Sequence, residues 1–389
     1  MIAFDEALHR TREAACPLGS EIVPLEQAAG RVLAAAVTAR VDSPPADCSA
    51  MDGYAVREAD LPGSLRVVGG SFAGHGFSQP LEAGCTVRIF TGAPMPHGAD
   101  RIIIQEDVVR EGERVLMPAI ASATHVRLRG SDFRSGDELL AAGTMLTPRA
   151  LVAAAAADRA EVEVWRRPRI AVLATGDELA APGEAARREG FRPESVSYGV
   201  AALAEQWGGQ VVAKARLGDD LRAMERAAGE MLQLADLVVV TGGASVGEKD
   251  FAKPMFEPYG LELIFSKVAM KPGKPVWLGR VDEGLVLGLP GNPTSAMVTA
   301  RVLLAPLVAG LCGRNGALEW ETVPLAGALP ACGERETFVR ARRTAQGALP
   351  ISNQDSGAQR ALVEADFLVR SRPRDRARQT GEMVEALAF

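Results

Sequence analysis

Between residues 169 and 310, short aliphatic runs alternate with segments of helical spacing, and the runs stop at glycine-bearing loops. Ile170-Ala171-Val172-Leu173-Ala174 ends at Thr175-Gly176, and Leu237-Val238-Val239-Val240 ends at Thr241-Gly242-Gly243. The spacing predicts helices over about 197–207 and 220–234, with Val211-Val212-Ala213 as a strand between them. Strands that are apolar on every residue must be covered on both faces. The segment therefore reads as α/β, a parallel sheet with helices on both sides. Ligands of such sheets sit at the carboxyl ends of the strands, where the glycine loops fall here.

The flanking sequence has a different texture. Phe4, Ala7 and Leu8, and the stretch Leu25 to Leu33, have roughly helical spacing. From Val41 to about Asp137, short β-like runs (Leu65–Val68, Thr86–Phe90, Arg101–Gln105, Arg114–Met117) are punctuated by Gly and Pro, which predicts a small β-rich domain. Residues 138–165 return to alanine-rich helical sequence, and Arg167-Pro168 breaks the chain. From about 315 onward β-like segments and turn residues return.

Composition removes several functions. With 43 basic and 49 acidic side chains the net charge is −6, opposite in sign to the basic excess of a nucleic-acid binder. Aromatic residues are 5% of the chain, too few for base-stacking platforms, so no nucleic-acid partner is expected. Apolar runs are short, and Arg301 interrupts the stretch from Met297 to Cys312, so no membrane span is expected. The start Met1-Ile2-Ala3-Phe4-Asp5-Glu6 has no basic, then apolar, signal pattern. Cys16, Cys48, Cys85, Cys312 and Cys332 are odd in number and form no Cys-x-x-Cys pair, the pattern of buried, unpaired thiols in a reducing, cytoplasmic setting. All four histidines lie in the first third, which leaves no His-rich metal centre or Ser-His-Asp triad for the later segments.

Four loops in the α/β segment carry chemistry. Thr175-Gly176-Asp177-Glu178 is either a turn with solvated acids or a carboxylate, Glu178, aimed at a metal or phosphate. In Thr241 to Asp250, Gly242 and Gly243 let backbone approach an anion, Ser245 adds a hydroxyl, and Asp250 is an oxygen donor suited to Mg²⁺. A purely structural glycine turn is the alternative. Lys271-Pro272-Gly273-Lys274-Pro275 fits a type II turn that brings Lys271 and Lys274 together, around an oxyanion or merely in solvent. In Gly288 to Ala296, Asn292 and Pro293 suit a helix N-cap and first turn, and the free amides with Thr294 and Ser295 hydroxyls suit an anion. The set fits phosphoanhydride or oxyanion chemistry, and the absence of a G-x-G-x-x-G fingerprint argues against a dinucleotide cofactor.

At these residues the chain resembles the molybdopterin molybdenumtransferase family, the MoeA and gephyrin E-domain type. The matching stretches are Ser49 to Ala55, Thr91 to Pro94, Gln105 to Asp107, Arg129-Gly130-x-Asp132, Thr175 to Leu179, Gly242 to Asp250, Lys271 to Pro275 and Leu289 to Ala296. Their order and spacing cover nearly the full length. The resemblance implies a multidomain α/β protein: a discontinuous elongated domain (1–43 and 138–166), a β-rich domain (44–137), a molybdopterin-binding three-layer α/β/α domain (167–313) and a C-terminal β barrel (314–389). It implies a homodimer that takes adenylylated molybdopterin, molybdate and Mg²⁺, hydrolyses the phosphoanhydride, and releases AMP and molybdenum cofactor. It also implies transient contact with a molybdopterin adenylyltransferase. Residue by residue, it assigns Glu178, Asp219 and Asp250 to the metal, with Asp220 the alternative to Asp219. It assigns Lys271, Lys274, Ser245 and Ser295 to molybdate and phosphate oxygens. Thr175, Gly242, Gly243, Pro290, Gly291, Asn292 and Pro293 shape the pocket, and Asp52, Thr91 and Asp132 complete it from the partner chain.

One departure stands out. Where the family usually carries a Ser-Asn pair at a helix start, this chain has Glu194-Ser195-Val196-Ser197-Tyr198, with Val196 in the Asn position. Ser195 or Ser197 is expected to cap the helix instead, and the substitution bears on pterin recognition more than on the metal. If that recognition is lost, the chain would be a non-catalytic carrier or scaffold. In the C-terminal segment Arg340 and Ser356 are candidates for molybdate entry, against the reading of a solvated surface Arg. The alternating Arg370, Arg372, Arg374, Arg376 and Arg378 read as a charged sheet edge.

Overall fold

A computed structural model describes residues 1–119, 123–243 and 251–389. The chain forms two compact units, one of Met1–Glu21, Gly30–Ala34 and Glu163–Phe389, the other of Ile22–Ala29 and Ala35–Val162.

In the first unit the aliphatic runs become strands β1 (Arg169–Thr175), β2 (Gln210–Leu217) and β3 (Leu237–Thr241). They are joined by β4 (Glu262–Ser266), β5 (Trp277–Val281) and β6 (Gly284–Leu289). The sheet order is β2-β1-β3-β6-β5-β4. β2, β1, β3 and β6 run parallel, while β5 and β4 add an antiparallel extension. Side chains alternate faces with the period of two that a strand imposes. Ile170, Val172, Leu237, Val239 and Leu287 pack into one core with helices α1 (Val196–Gln206) and α3 (Pro293–Leu311). Ala171, Leu173, Val238, Val240 and Val286 pack into another with Met224, Ala228 and Met231 of helix α2 (Leu221–Leu234). The expected three-layer arrangement is therefore present, with both faces of the sheet covered.

Helix α3 is long and apolar enough to cross a membrane, yet 89% of that stretch is buried inside the protein. Arg301 sits in a π-helical turn of this helix, and its Nε donates to Ala388 O at 2.8 Å while its guanidinium lies over Trp207. The helix Phe4–Ala14 packs Phe4 and Ala7 into the same core. The helical spacing of Leu25 to Leu33 yields only a single 3₁₀ turn, Leu25–Gln27. A Pro at the preceding residue and Gly30 within the stretch leave it too short to nucleate a longer helix.

The C-terminal segment builds a sheet in the order Met270–Lys271, Glu336–Thr344, Phe367–Ser371, Met383–Ala388, Trp320–Pro324, with Gly347–Pro350 paired to Glu336–Thr344. Its first strand comes from the α/β segment and pairs parallel to Glu336–Thr337, tying the two domains together. Phe367–Ser371 is a central strand, so Arg370 is not at an edge. Its side chain is only 7% exposed, bonds Glu336, and reaches Asp5 at 2.6 Å. The other four arginines of that run are each matched to an acid: Arg372 to Glu385, Arg374 to Glu334, Arg376 to Glu382 and Arg378 to Asp375.

The second unit holds a six-stranded sheet in the order Arg101–Ile104, Gly53–Val56, Cys85–Ile89, Gly63–Ser71, Arg114–Met117, Val109–Glu111. Four of these strands follow the β-like runs. Gly53–Val56 does not announce itself in the sequence, and it needs its glycine: a Cβ at position 53 would lie 2.1 Å from Ile103 O. All five cysteines are free, but Cys16 is exposed and Cys332 half-buried, so only three are buried thiols.

Candidate functional site

All four parallel strands deliver a loop to one cavity of about 880 Å³ at their carboxyl ends. Thr175 ends β1, with Gly176 and Glu178 after it; Asp219 follows β2, Gly242 and Gly243 follow β3, and Pro290 to Pro293 follow β6. The glycines are dictated by packing. Gly176 has φ 147° and a Cβ there would meet Glu178 Oε2 at 2.6 Å, so the Glu178 carboxylate folds back over bare backbone. Gly242 has φ 93°, and a Cβ would lie 2.6 Å from Thr175 O. Gly291 stacks on Gly242, its Cβ position only 3.2 Å from Gly242 Cα. Thr175 Oγ1 donates to Thr241 O at 3.3 Å, fixing the β1 and β3 ends to each other.

The two acids after β2 part company. Asp220 is the N-cap of α2, its carboxylate accepting from the Ala223 amide at 3.1 Å. Asp219 lines the cavity, with its amide donating to Asp177 Oδ1 at 2.9 Å. Lys274 also lines the cavity. The Lys271–Pro272 bond is cis, Gly273 has the positive φ, 111°, that a type II turn asks of its third residue, and the Val276 amide donates to Gly273 O at 3.1 Å. Lys271 is exposed on the strand that pairs with Glu336–Thr337 and is not among the cavity-lining residues. Lys267, unremarked in the sequence, lines the cavity with φ 66°, a left-handed backbone uncommon outside glycine.

Asn292 occupies the N-cap position of α3, but its side chain does not cap. Its Nδ2 donates to Ser356 Oγ at 3.1 Å. The Thr294 amide donates to Ser356 O at 3.1 Å and Thr294 Oγ1 to Ala358 O at 3.3 Å. Thr294 is thereby committed to the C-terminal domain and not free for an anion. Ser295 is buried and does not line the cavity. Ser245 and Asp250 lie outside the described residues.

One wall was legible only in part: the sequence tied Val196 to the pterin but gave no role to Arg192, Glu194 or Gln359. A short parallel pairing of Leu179–Ala180 with Arg192–Pro193 carries Arg192 to Val196 to the cavity, and the C-terminal loop adds Gly357 and Gln359. Neither Ser195 nor Ser197 caps α1. Glu194 does, accepting from the Ser197 amide at 2.8 Å and from Ser197 Oγ at 2.5 Å. Gln359 Nε2 donates to Ser195 Oγ at 3.2 Å. Arg340 is not a surface residue but 1% exposed. Its Nε donates to Gln354 Oε1 at 3.3 Å and its Nη1 to Asp355 O at 3.2 Å, holding the loop that carries Ser356 and Gln359. A sequence signal existed: Asn353, Gln354 and Asp355 together are a turn-forming polar cluster with no core to serve.

In the second unit, Asp52 Oδ1 accepts from the Thr91 amide and Thr91 Oγ1, both at 2.8 Å. The backbone bond and then the hydroxyl bond hold the Asp52 carboxyl below its ordinary range, so it stays ionised. Asp132 is exposed, its amide donating to Ser43 O at 3.0 Å.

Among the described residues no group of three or more His, Cys, Asp or Glu gathers to hold a metal alone. Glu178 and Asp219 nevertheless offer two hard oxygen donors to one cavity, the number Mg²⁺ takes from protein when phosphate and water supply the rest. Fold and cavity thus define a multidomain α/β protein with acids and lysines around one cavity at the carboxyl ends of its parallel strands. The MoeA N-terminal region (domain I and II) matches residues 2–157, the probable molybdopterin binding domain residues 171–310, and the MoeA C-terminal region (domain IV) residues 322–389. The chain is 37% identical to the molybdopterin molybdenumtransferase of Haemophilus influenzae, over 83% of this chain and 80% of that one. It is 36% identical to that of Synechococcus elongatus, over 90% and 89%. A solved structure of the molybdopterin biosynthesis MoeA protein of Pyrococcus horikoshii superposes with a TM-score of 0.85 at 25% identity, covering 100% of both chains. The chain belongs to the molybdopterin molybdenumtransferase (MoeA) family of molybdenum cofactor biosynthesis.

Proposed function

We propose that this chain inserts molybdate into adenylylated molybdopterin with hydrolysis of the phosphoanhydride, releasing AMP and molybdenum cofactor. The observation that supports this best is the convergence of Glu178, Asp219, Lys267 and Lys274 on a single cavity at the carboxyl ends of four parallel strands. The relatives' shared name, molybdopterin molybdenumtransferase, gives the substrate class.

Glu178 and Asp219, with Asp250, are the residues that would hold Mg²⁺. When bound, that ion supplies Lewis-acid neutralisation of a phosphoanhydride. Lys267 and Lys274 oppose negative charge on molybdate and on the departing phosphate, while Lys271 and Ser295, the other positions of the family's oxyanion set, lie outside the lining. Thr175, Gly242, Gly243, Ser245 and the Pro290, Gly291, Asn292, Pro293 loop bring backbone close to the ligand. Asp52, Thr91 and Asp132 act from the second copy of a homodimer. A transient encounter with a molybdopterin adenylyltransferase delivers the substrate, and the five free cysteines suit a cytoplasmic setting. The four-domain division, with boundaries near 43, 137, 166 and 313, is part of this reading.

The test is incubation with adenylylated molybdopterin and Mg²⁺, measuring AMP with and without molybdate. Molybdate-dependent AMP release is expected. Tight pterin binding with no AMP under any metal or molybdate condition would make the chain a carrier or scaffold.

A further inference from the structure

The wall that runs from Arg192 to Val196 sits beside Glu178, with the Arg192 amide donating to Glu178 O at 2.7 Å, and its Glu194 has no role in the proposed reaction. Glu194 is a carboxylate only 6% exposed, yet it lines the cavity. Both its oxygens already accept from Ser197, which fixes the carboxylate plane and leaves one lone-pair direction on each oxygen. Beside it, Gln359 crosses from the C-terminal domain, its amide tied to Ser195 through one N–H. That leaves its second N–H and its carbonyl oxygen. Pro193 and Val196 line the same wall and offer apolar surface. A buried, oriented carboxylate beside a carboxamide and apolar surface matches a flat heterocycle with two adjacent N–H donors and a carbonyl. The 2-amino-4-oxopyrimidine ring of a pterin presents those groups along one edge.

We propose that Glu194 and Gln359 are the specificity-determining pair for the pterin ring: Glu194 accepts from the 2-amino group and N3–H, and Gln359 donates to the O4 carbonyl. The proposal rests on the molybdopterin reading of the cavity. It also accounts for Val196. That residue is 8% exposed, within the core that includes α1, and serves as an apolar surface while its neighbour reads the polar edge. A site whose buried polar group is left unmatched rejects the wrong ligand strongly, so an oxo group in place of the 2-amino group should be penalised.

The experiment compares 6-hydroxymethylpterin with the corresponding lumazine, which carries oxygen at position 2, by displacement from the purified full-length protein. The wild type should prefer the pterin by about tenfold or more, the worth of a hydrogen bond to a charged group. Glu194→Gln should abolish that preference and raise KM for adenylylated molybdopterin with kcat largely kept. Gln359→Met, which leaves the Glu194 cap untouched, should weaken both heterocycles, and it keeps the test open if Glu194→Gln unfolds. An unchanged pterin-to-lumazine ratio in Glu194→Gln, or unchanged affinity in Gln359→Met, overturns the assignment and leaves Glu194 a helix cap. Wild-type AMP release separates the two failures. If AMP release is molybdate-dependent while the ratio does not move, only this pair is wrong; if AMP is never released, the reaction itself is.

Discussion

Two adjacent aspartates, indistinguishable as a dipeptide, have separate work. Asp220 caps α2, and Asp219 lines the cavity. Asp220→Ala should cost about 1 kcal/mol of stability with molybdate-dependent AMP release intact. Asp219→Asn should leave the melting temperature nearly unchanged and raise the Mg²⁺ concentration needed for half-maximal rate by about tenfold. Thermal melts and a Mg²⁺ titration of both variants check the pair; the reversed pattern would exchange their roles. The same economy appears at Glu194, which caps a helix from outside the usual Ser, Thr, Asp and Asn set. Its length suits it to the task, because the extra methylene lets it bridge the Ser197 amide and hydroxyl together.

At the scale of elements, the sheet is fastened at the end away from the site as well as at the site end. Asp236, just before β3, accepts from the Arg169 amide at 2.8 Å and from its guanidinium at 2.9 Å, clamping the starts of β1 and β3. Burial pulls the Asp236 carboxyl upward, but the Arg169 hydrogen bonds and the charges of Arg169 and Arg166 outweigh it and hold the pKa below the ordinary 3.8. Because the folded value is depressed, the stabilisation is fully present above about pH 4. It is lost as pH falls through the folded value. Asp236→Asn should therefore cost about 1–3 kcal/mol at pH 7. The gap between variant and wild type should narrow in denaturant melts as the pH is lowered from about 4 through the folded value. A gap that persisted there would mean the clamp does not act through its charge.

At the scale of the whole molecule, the proposed site draws on two copies of the chain. Subunits carrying Asp52→Ala and subunits carrying Glu178→Gln should each be inactive as homodimers. Co-expressed with different tags and isolated as the mixed dimer, they should regain about half of wild-type activity, because one of the two sites is then intact. No recovery would place Asp52 and Glu178 in the same chain's site, or remove one of them from it.

The amino-acid sequence alone specified half of the α/β sheet, the strands β1, β2 and β3, together with the two helices α1 and α2. Ile170 to Ala174 and Leu237 to Val240 are apolar at every position, and such a strand is stable only between two covered faces. The glycines at the ends of the strands stand out in the sequence too, and Gly242 is required there because a Cβ would lie 2.6 Å from Thr175 O. Tertiary structure alone decided the rest of the cavity. Lys267 enters through a left-handed turn, and Glu194 through a two-residue strand pairing. Gln359 arrives from 164 residues away in sequence, carried by a loop that the buried Arg340 holds in place. Arg370 makes the same point: its alternating neighbours look like an edge, but burial against Glu336 puts it in the centre of a sheet. Local spacing specifies which residues share a face. It carries no information about which distant loop closes over them, because that contact is selected by the packing of whole domains.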